Sequence, residues 1–152
     1  MDKQLADLIP ALGNKPVLVV GDLMLDHYVH GEVRRMAPES SPSAPVPVLS
    51  ALHESFILGG AGGVVANING LGARALVLGM VADDSAGAKI ISLLEQAGAD
   101  IKFLTVAKDR PSIVKMRFMK GTEQLLRTDY ETVKPLSDAD EKTLIANIPA
   151  TL

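Results

Sequence analysis

Two aspartates that follow a short apolar run are the first residues in this chain whose types and spacing suggest chemistry. The run covers residues 17–20 and ends at Gly21, and Asp22 and Asp26 come next. A short apolar run ended by glycine is typical of a buried parallel strand, and open α/β sheets bind ligands beyond the carboxyl ends of such strands. Ionised carboxylates only accept hydrogen bonds, so they suit a polyol better than a phosphate. We therefore expect a sugar-like ligand here, with a metal ion or a capped turn as the alternatives.

Two adjacent glycines, Gly59 and Gly60, precede a segment with helical apolar spacing at residues 64–71. Such a pair lets backbone approach a ligand at a helix N-terminus, or it forms a tight strand-to-helix turn. The spacing does not match a dinucleotide-binding fingerprint, because Val65 stands where the third small residue belongs. It does not match a P-loop either, because no Gly-Lys-Ser/Thr follows.

Three basic residues, Lys115, Arg117 and Arg127, lie in a predicted hairpin formed by residues 112–119 and 124–128. Lys115 and Arg117 share one face because side chains alternate along a strand. The pair suits a phosphate group, although an ordinary solvated face has the same pattern. The three histidines lack the spacing of metal ligands, so we predict no zinc site.

The composition indicates one globular domain without a basic surface. The chain has 152 residues, 47% of them hydrophobic and 22% charged, with a net charge of −3 and no cysteine. This charge provides no basic field for nucleic acid, and no apolar run approaches the ~20 residues that a membrane helix needs. The first residues lack the apolar region of a signal peptide. We expect a cytoplasmic protein with neither a nucleic acid nor a membrane partner.

Apolar periodicity predicts strands and helices in alternation, which favours a parallel sheet with right-handed crossovers. The predicted strands of this sheet are 17–20, 75–81 and 101–106, and the predicted helices are 2–12, 64–71, 85–97 and 141–147. Asp83, Asp84 and Ser85 supply N-cap chemistry to the third of these helices. Residues 28–36, 46–57 and 112–128 break the alternation, so they predict a separate, mostly antiparallel sheet.

Four segments taken together resemble the ribokinase-like PfkB carbohydrate kinases, most closely the heptose-7-phosphate kinases of ADP-heptose biosynthesis. They are VVGDLMLDHYVHG at 19–31, APVPVL at 44–49, GGAGGVVANINGLGARALVLGMVADDSAG at 59–87 and KMRFMKGTEQLLRTDYE at 115–131. The resemblance implies an α/β fold with a parallel sheet flanked by helices and a small antiparallel lid sheet. The core would comprise about 14–27, 59–104 and 137–152, and the lid about 28–58 and 110–130.

The resemblance also implies roles for the candidate residues. Asp26 and Asp22 would contact sugar hydroxyls, and Gly59 and Gly60 would let a helix N-terminus close over the sugar. The phosphate already on the substrate would be held by Lys115 and Arg117, with Arg127 as a weaker contact. In such kinases ATP, helped by Mg²⁺, phosphorylates the anomeric hydroxyl of heptose 7-phosphate on the route to lipopolysaccharide, and lid strands often form a homodimer clasp.

Three departures from the family pattern shape the expected activity. The family's later half carries a Gly-Ala-Gly-Asp motif with the catalytic base and most of the ATP site, and that motif is not in these 152 residues. Gly63 replaces an asparagine that binds sugar hydroxyls, and residues 40–43 lengthen a lid loop. We expect a truncated, N-terminal sugar-binding half that is inactive alone and holds neither ATP nor Mg²⁺ tightly. The alternative is a non-catalytic module that binds a sugar phosphate or oligomerises through the lid.

Overall fold

The computed structural model describes Pro10, Gly13 and residues 15–148. Apart from Pro10, the leading helix predicted over 2–12 lies outside the described residues. In chain order, the elements are β1 (Pro16–Val20), β2 (Leu23–Met36), β3 (Pro47–Gly60), α1 (Ala61–Gly70), β4 (Arg74–Ala82), α2 (Ser85–Gln96), β5 (Asp100–Ala107), β6 (Ile113–Lys120), β7 (Glu123–Tyr130) and α3 (Asp138–Ala146).

A parallel sheet with the strand order β1-β4-β5 forms the core, which confirms the predicted βαβ organisation. Its central strand β4 is buried on both faces, as expected for a nearly continuous apolar run between helices. On α2, Ile90 and Leu94 are completely buried, and on α1 Val65 is too. These side chains pack with Val77 of β4 in a single apolar cluster, which fixes the carboxyl edge of the sheet where β1 and β4 end.

The second sheet, with the order β3-β2-β6-β7, is mostly antiparallel as predicted, but one of its three strand pairs is parallel. β2 pairs antiparallel with β3 and parallel with β6, whereas β6 and β7 form the predicted antiparallel hairpin. The parallel pair has a simple cause. β1 and β5 run in the same direction, and each continues past its carboxyl end into a lid strand, β2 and β6 respectively.

Strand β2 begins at Leu23, five residues before the predicted segment 28–36. Leu23 and Leu25 point into the core and are almost completely buried. Because side chains alternate across a strand, Asp26 points to the opposite face. Asp26 therefore belongs to a paired strand, and only Asp22 lies in the connection between β1 and β2.

Asp84 caps α2 as predicted and also joins the core to the lid. Its carboxylate accepts hydrogen bonds from the Gly87 N–H at 2.7 Å and from the Ser112 N–H at 3.0 Å. The Ser112 hydroxyl in turn accepts a hydrogen bond from the Ala82 N–H at 2.8 Å. Burial opposes ionisation of Asp84, but the hydrogen bonds from Ser112 and Gly87 outweigh it and lower its pKa. The residue just before β6 is thus attached by one bond to the last residue of β4 and by another to the N-cap residue of α2.

None of the helices in the described part of the chain is long and apolar enough to cross a membrane.

Candidate functional site

The two adjacent glycines stand opposite the two aspartates. A Cβ atom on Gly59 would lie 2.9 Å from Oδ2 of Asp26, and one on Gly60 would lie 2.5 Å from the carbonyl oxygen of Asp22. Gly60 is also the N-cap residue of α1 and has a φ of 55°, a conformation that favours glycine. The absence of both side chains lets the end of β3 and the start of α1 lie directly against the segment that carries the aspartates.

The start of α1 is anchored on Asp22 through the backbone. The N–H of Ala61, the first residue of α1, donates to the Asp22 carbonyl oxygen at 2.9 Å. The Asp22 side chain remains exposed at the carboxyl edge of the parallel sheet. The carboxylate is therefore available to a ligand at the place where α/β sheets bind them.

Asp26 forms a half-buried ion pair with Arg117. Its Oδ1 atom accepts a hydrogen bond at 2.5 Å from the Arg117 guanidinium, which also lies 5.1 Å from the centroid of the Tyr28 ring. The hydrogen bond to Asp26 raises the pKa of Arg117. Arg117 thus orients the carboxylate through Oδ1, and Oδ2 faces the space left by Gly59. A charge-assisted acceptor held in this way suits a sugar hydroxyl.

Lys115 and Arg127 form a separate, electrically balanced cluster on β6 and β7. Lys115 Nζ lies 2.9 Å from Asp129 and 2.7 Å from Glu131, and Arg127 Nε lies 2.9 Å from Asp129. The hydrogen bonds to Glu131 and Asp129 raise the pKa of Lys115, and the bond from Lys115 lowers the pKa of Asp129. Two cations face two carboxylates, so a phosphate here would have to compete with an existing partner.

A cavity of about 230 Å³ lies where β1, β4 and β5 end, and it is lined in part by Asp22, Gly79, Arg110 and Thr132. The predicted site did not include Arg110. One signal in the sequence could have identified it: like Asp22, Arg110 lies within three residues of the carboxyl end of a strand of the parallel sheet, in the connection from β5 to β6. The structure therefore brings Asp22, Gly59, Gly60, Asp26 and Arg117 together and adds a cation at the same edge.

The profile of the pfkB family carbohydrate kinases matches residues 15–148, which is most of the chain. The chain belongs to the pfkB family. This match confirms the family that the four sequence segments had indicated.

Two similar sequences come from bacterial proteins named bifunctional protein HldE. The pfkB chain is 40% identical to the one from Rhodospirillum rubrum over 144 residues, and 41% identical to the one from Hyphomonas neptunium over 145 residues. These alignments cover 95% of the chain in both cases, but only 28% and 29% of the two relatives. The chain thus spans less than a third of the length of these relatives.

Solved structures of sugar kinases share the fold. A putative sugar kinase from Clostridium perfringens has a TM-score of 0.63 at 14% identity, covering 87% of the chain and 40% of that protein. Arabidopsis thaliana ribokinase, solved with ribose and ATP, has a TM-score of 0.59 at 19% identity, covering 88% of the chain and 43% of that protein. These likenesses show the ribokinase-like α/β fold, as the sequence predicted.

We tested the site for ATP and Mg²⁺, which the family implies. Within residues 15–148, no three histidine, aspartate or glutamate side chains converge in a way that would hold a metal ion. The glycines at the start of α1 face Asp22 and Asp26, and that acidic neighbourhood does not suit a triphosphate. The described residues do not fit the nucleotide and its metal, so we assign none of them to either.

Proposed function

We propose that this chain is the sugar-binding portion of a carbohydrate kinase whose substrate is heptose 7-phosphate. The reaction would be ATP-dependent and Mg²⁺-dependent phosphorylation of the anomeric hydroxyl, as in the heptose-7-phosphate kinases that the segments resemble. The observation that carries the proposal is the pairing of Gly59 with the Asp26 carboxylate and of Gly60 with the Asp22 carbonyl at the carboxyl edge of the sheet.

In this proposal the two aspartates accept hydrogen bonds from sugar hydroxyls. Oδ2 of Asp26 is the principal acceptor because Arg117 already holds Oδ1. Asp22 provides a second, exposed acceptor. Gly59 and Gly60 leave room for the sugar beside the start of α1. Neutral hydroxyls replace water at these oxygens without disturbing the ion pair between Asp26 and Arg117.

The lid sheet would cover the bound sugar and join two copies of the chain. Several apolar side chains on its strands are exposed, including Leu52, Ile57 and Leu126 at 66%, 54% and 56%. Exposed apolar side chains that recur along one sheet are typical of an interaction surface. We therefore propose a homodimer formed through the lid, and a cytoplasmic location where the sugar phosphate is made.

The phosphate of the substrate would be held by basic residues near the lid. Lys115, Arg117 and Arg127 are the contacts that the segment resemblance implies, and each already has a carboxylate partner, so Lys115 and Arg127 would bind the phosphate beside Asp129 while Arg117 keeps Asp26. The 152 residues contain no Gly-Ala-Gly-Asp run. We therefore propose that they bind the sugar phosphate without transferring a phosphoryl group, and that neither ATP nor Mg²⁺ binds them tightly.

Calorimetric titration with heptose 7-phosphate tests the binding role. We expect Asp26→Asn to weaken binding by about 10-fold or more, because a hydrogen bond to a charged acceptor contributes about 1.5–3 kcal/mol. The exposed Asp83 gives a matched control, Asp83→Asn, which should bind like the wild type. Equal affinity of wild type and Asp26→Asn would refute the sugar site.

A second candidate function is a non-catalytic oligomerisation module, which the exposed apolar residues of the lid favour. A dimer in sedimentation experiments, together with no heat of binding for heptose 7-phosphate, would support it over the first. Turnover of heptose 7-phosphate by the 152 residues with ATP and Mg²⁺ would contradict both the module and the proposed inactivity.

A further inference from the structure

We propose that Arg110 and Lys134 form an anion subsite that holds the phosphate of a phosphorylated sugar whose hydroxyls face Asp22. The inference deepens the proposed function and rests on it, because the same cleft would hold the sugar. It assigns the phosphate to residues other than Lys115, Arg117 and Arg127.

The Arg110 guanidinium is held in place but incompletely paired. One terminal nitrogen donates to the carbonyl oxygen of Pro135 at 2.7 Å and approaches that of Lys134 at 3.4 Å. Its Nε atom is buried, and no acceptor within residues 15–148 bonds to it. Buried N–H groups in folded proteins nearly always have a partner, so an unpaired one marks a place where an acceptor is missing. Oxygen atoms of a phosphate are acceptors that match a guanidinium.

Among the ion pairs of residues 15–148, Arg110 and Lys134 have one carboxylate between them, since Glu131, which lines the same cleft as Asp22, is paired with Lys115. The carboxylate of Asp109 lies 3.7 Å from Nε of Arg110 and 3.7 Å from Nζ of Lys134, so two cations share one anion. The cluster formed by Lys115, Arg127, Asp129 and Glu131 is balanced instead. A bound phosphate would therefore neutralise the remaining positive charge of Arg110 and Lys134 without displacing a carboxylate.

The cleft beside these cations also contains Asp22. Arg110 and Asp22 both line the cavity of about 230 Å³ and an adjoining open cleft of about 600 Å³, and Lys134 lines the second. A free phosphate would gain from the cations but would be repelled by Asp22. A molecule with an anionic group at one end and hydroxyls at the other can bind the cations with the first and Asp22 with the second. Apolar side chains shared by the two spaces, Ile113 and Leu136, offer a surface for the C–H groups of a sugar.

The test compares three probes on five proteins by calorimetry or by NMR titration of the whole chain. The probes are heptose 7-phosphate, the unphosphorylated heptose and inorganic phosphate. The proteins are wild type, Arg110→Gln, Lys134→Gln, Arg127→Gln as the probe of the rival contacts on β6 and β7, and the control Lys102→Gln, whose lysine is 55% exposed on β5. Lys134→Gln covers the case in which Arg110→Gln disturbs folding, because the Lys134 side chain is 53% exposed.

We expect Arg110→Gln to weaken binding of heptose 7-phosphate by about 10-fold or more, and Lys134→Gln by about 2- to 5-fold. Both variants should bind the unphosphorylated heptose like the wild type. The control Lys102→Gln should bind all three probes like the wild type, Arg127→Gln should lose less affinity for heptose 7-phosphate than Arg110→Gln, and inorganic phosphate should bind more weakly than the sugar phosphate. Added salt should weaken binding of heptose 7-phosphate and leave that of the unphosphorylated heptose unchanged.

Several results would overturn the subsite. One is that wild type binds the phosphorylated and unphosphorylated heptose equally well, which leaves the proposed sugar site intact. A second is that Arg127→Gln loses as much affinity as Arg110→Gln, which places the phosphate on β6 and β7. A third is that Lys134→Gln has no effect while Arg110→Gln weakens both sugars equally, which makes Arg110 a structural residue. Binding of neither sugar by wild type would refute the proposed function as well.

Discussion

Replacement of Gly59 by alanine should separate sugar binding from folding. The new methyl group would lie 2.9 Å from Oδ2 of Asp26, and ordinary contacts begin at 3.4 Å, so the carboxylate must retreat by about 0.5 Å. Gly59 does not have a positive φ, so alanine fits its backbone. Alanine is favoured over glycine in a strand by roughly 0.5–1 kcal/mol, which offsets part of the disturbed pair between Asp26 and Arg117. We expect the free energy of unfolding to change by no more than about 1 kcal/mol.

The effect of Gly59→Ala on the ligand should be much larger. Hydrogen bonds to a charged acceptor contribute about 1.5–3 kcal/mol, and most of that is lost when the acceptor is displaced. Affinity for the heptose should therefore fall by about 10-fold or more. Calorimetric titration measures the affinity, and urea denaturation followed by circular dichroism measures the stability of the same sample.

Gly60→Ala is the matched control because its new methyl group would clash with a backbone atom and not with a side chain. A Cβ atom there would lie 2.5 Å from the carbonyl oxygen of Asp22, and the φ of 55° is unfavourable for alanine. Strain of about 1–3 kcal/mol and overpacking of about 1–3 kcal/mol should lower stability together. If Gly59→Ala binds the heptose like the wild type, or if it destabilises the chain as much as Gly60→Ala does, the reasoning about the glycines is refuted.

Three further predictions concern stability and charge. Asp84 has a lowered pKa, so it stabilises the fold above its unfolded value near 3.8 and loses this contribution as the pH falls through its folded pKa. In urea denaturation, Asp84→Asn should reduce the loss of stability with falling pH between about pH 2 and 5. An unchanged pH dependence would contradict this. Leu94 is completely buried, so Leu94→Ala should cost about 2–5 kcal/mol in chemical denaturation, whereas a loss below about 1 kcal/mol would show that the cluster collapses into the cavity. Lys115→Met removes the main hydrogen bond that lowers the pKa of Asp129, so NMR titration should show that pKa rising toward 3.8, and a constant value would disprove the pairing.

Local sequence signals predicted much of the fold because they depend on neighbours a few residues apart. Apolar periodicity located the strands of the parallel sheet and the helices that cover it. The N-cap at Asp84 follows from its carboxylate, and the positive φ of Gly98 and Gly121, after α2 and between β6 and β7, follows from the missing Cβ atom of glycine. These features have the same physical basis in an isolated peptide as in the folded chain, so the sequence is sufficient to locate them.

The pairing of distant strands could not be predicted from such signals. Alternation assigns a residue to a face but does not identify the strand that lies beside it. The parallel pair of β2 and β6 arises because both strands leave the same edge of the core, which depends on the packing of β1 and β5. The mixed lid sheet and the early start of β2 therefore appeared only in the tertiary structure.

The sequence by itself determined which side chains could do chemistry at the candidate site. It predicted Asp22, Asp26 and the glycine pair as candidates from their places near the ends of the expected strands, and the family profile agrees with the predicted fold, although the structure places Asp26 within β2. Only the tertiary structure decided the electrostatics. Arg117 meets Asp26 across 91 residues of sequence, whereas Arg110 at the sheet edge lacks a full set of partners among residues 15–148. Whether a charged side chain can bind a ligand depends on the groups that surround it, and the fold determines those groups.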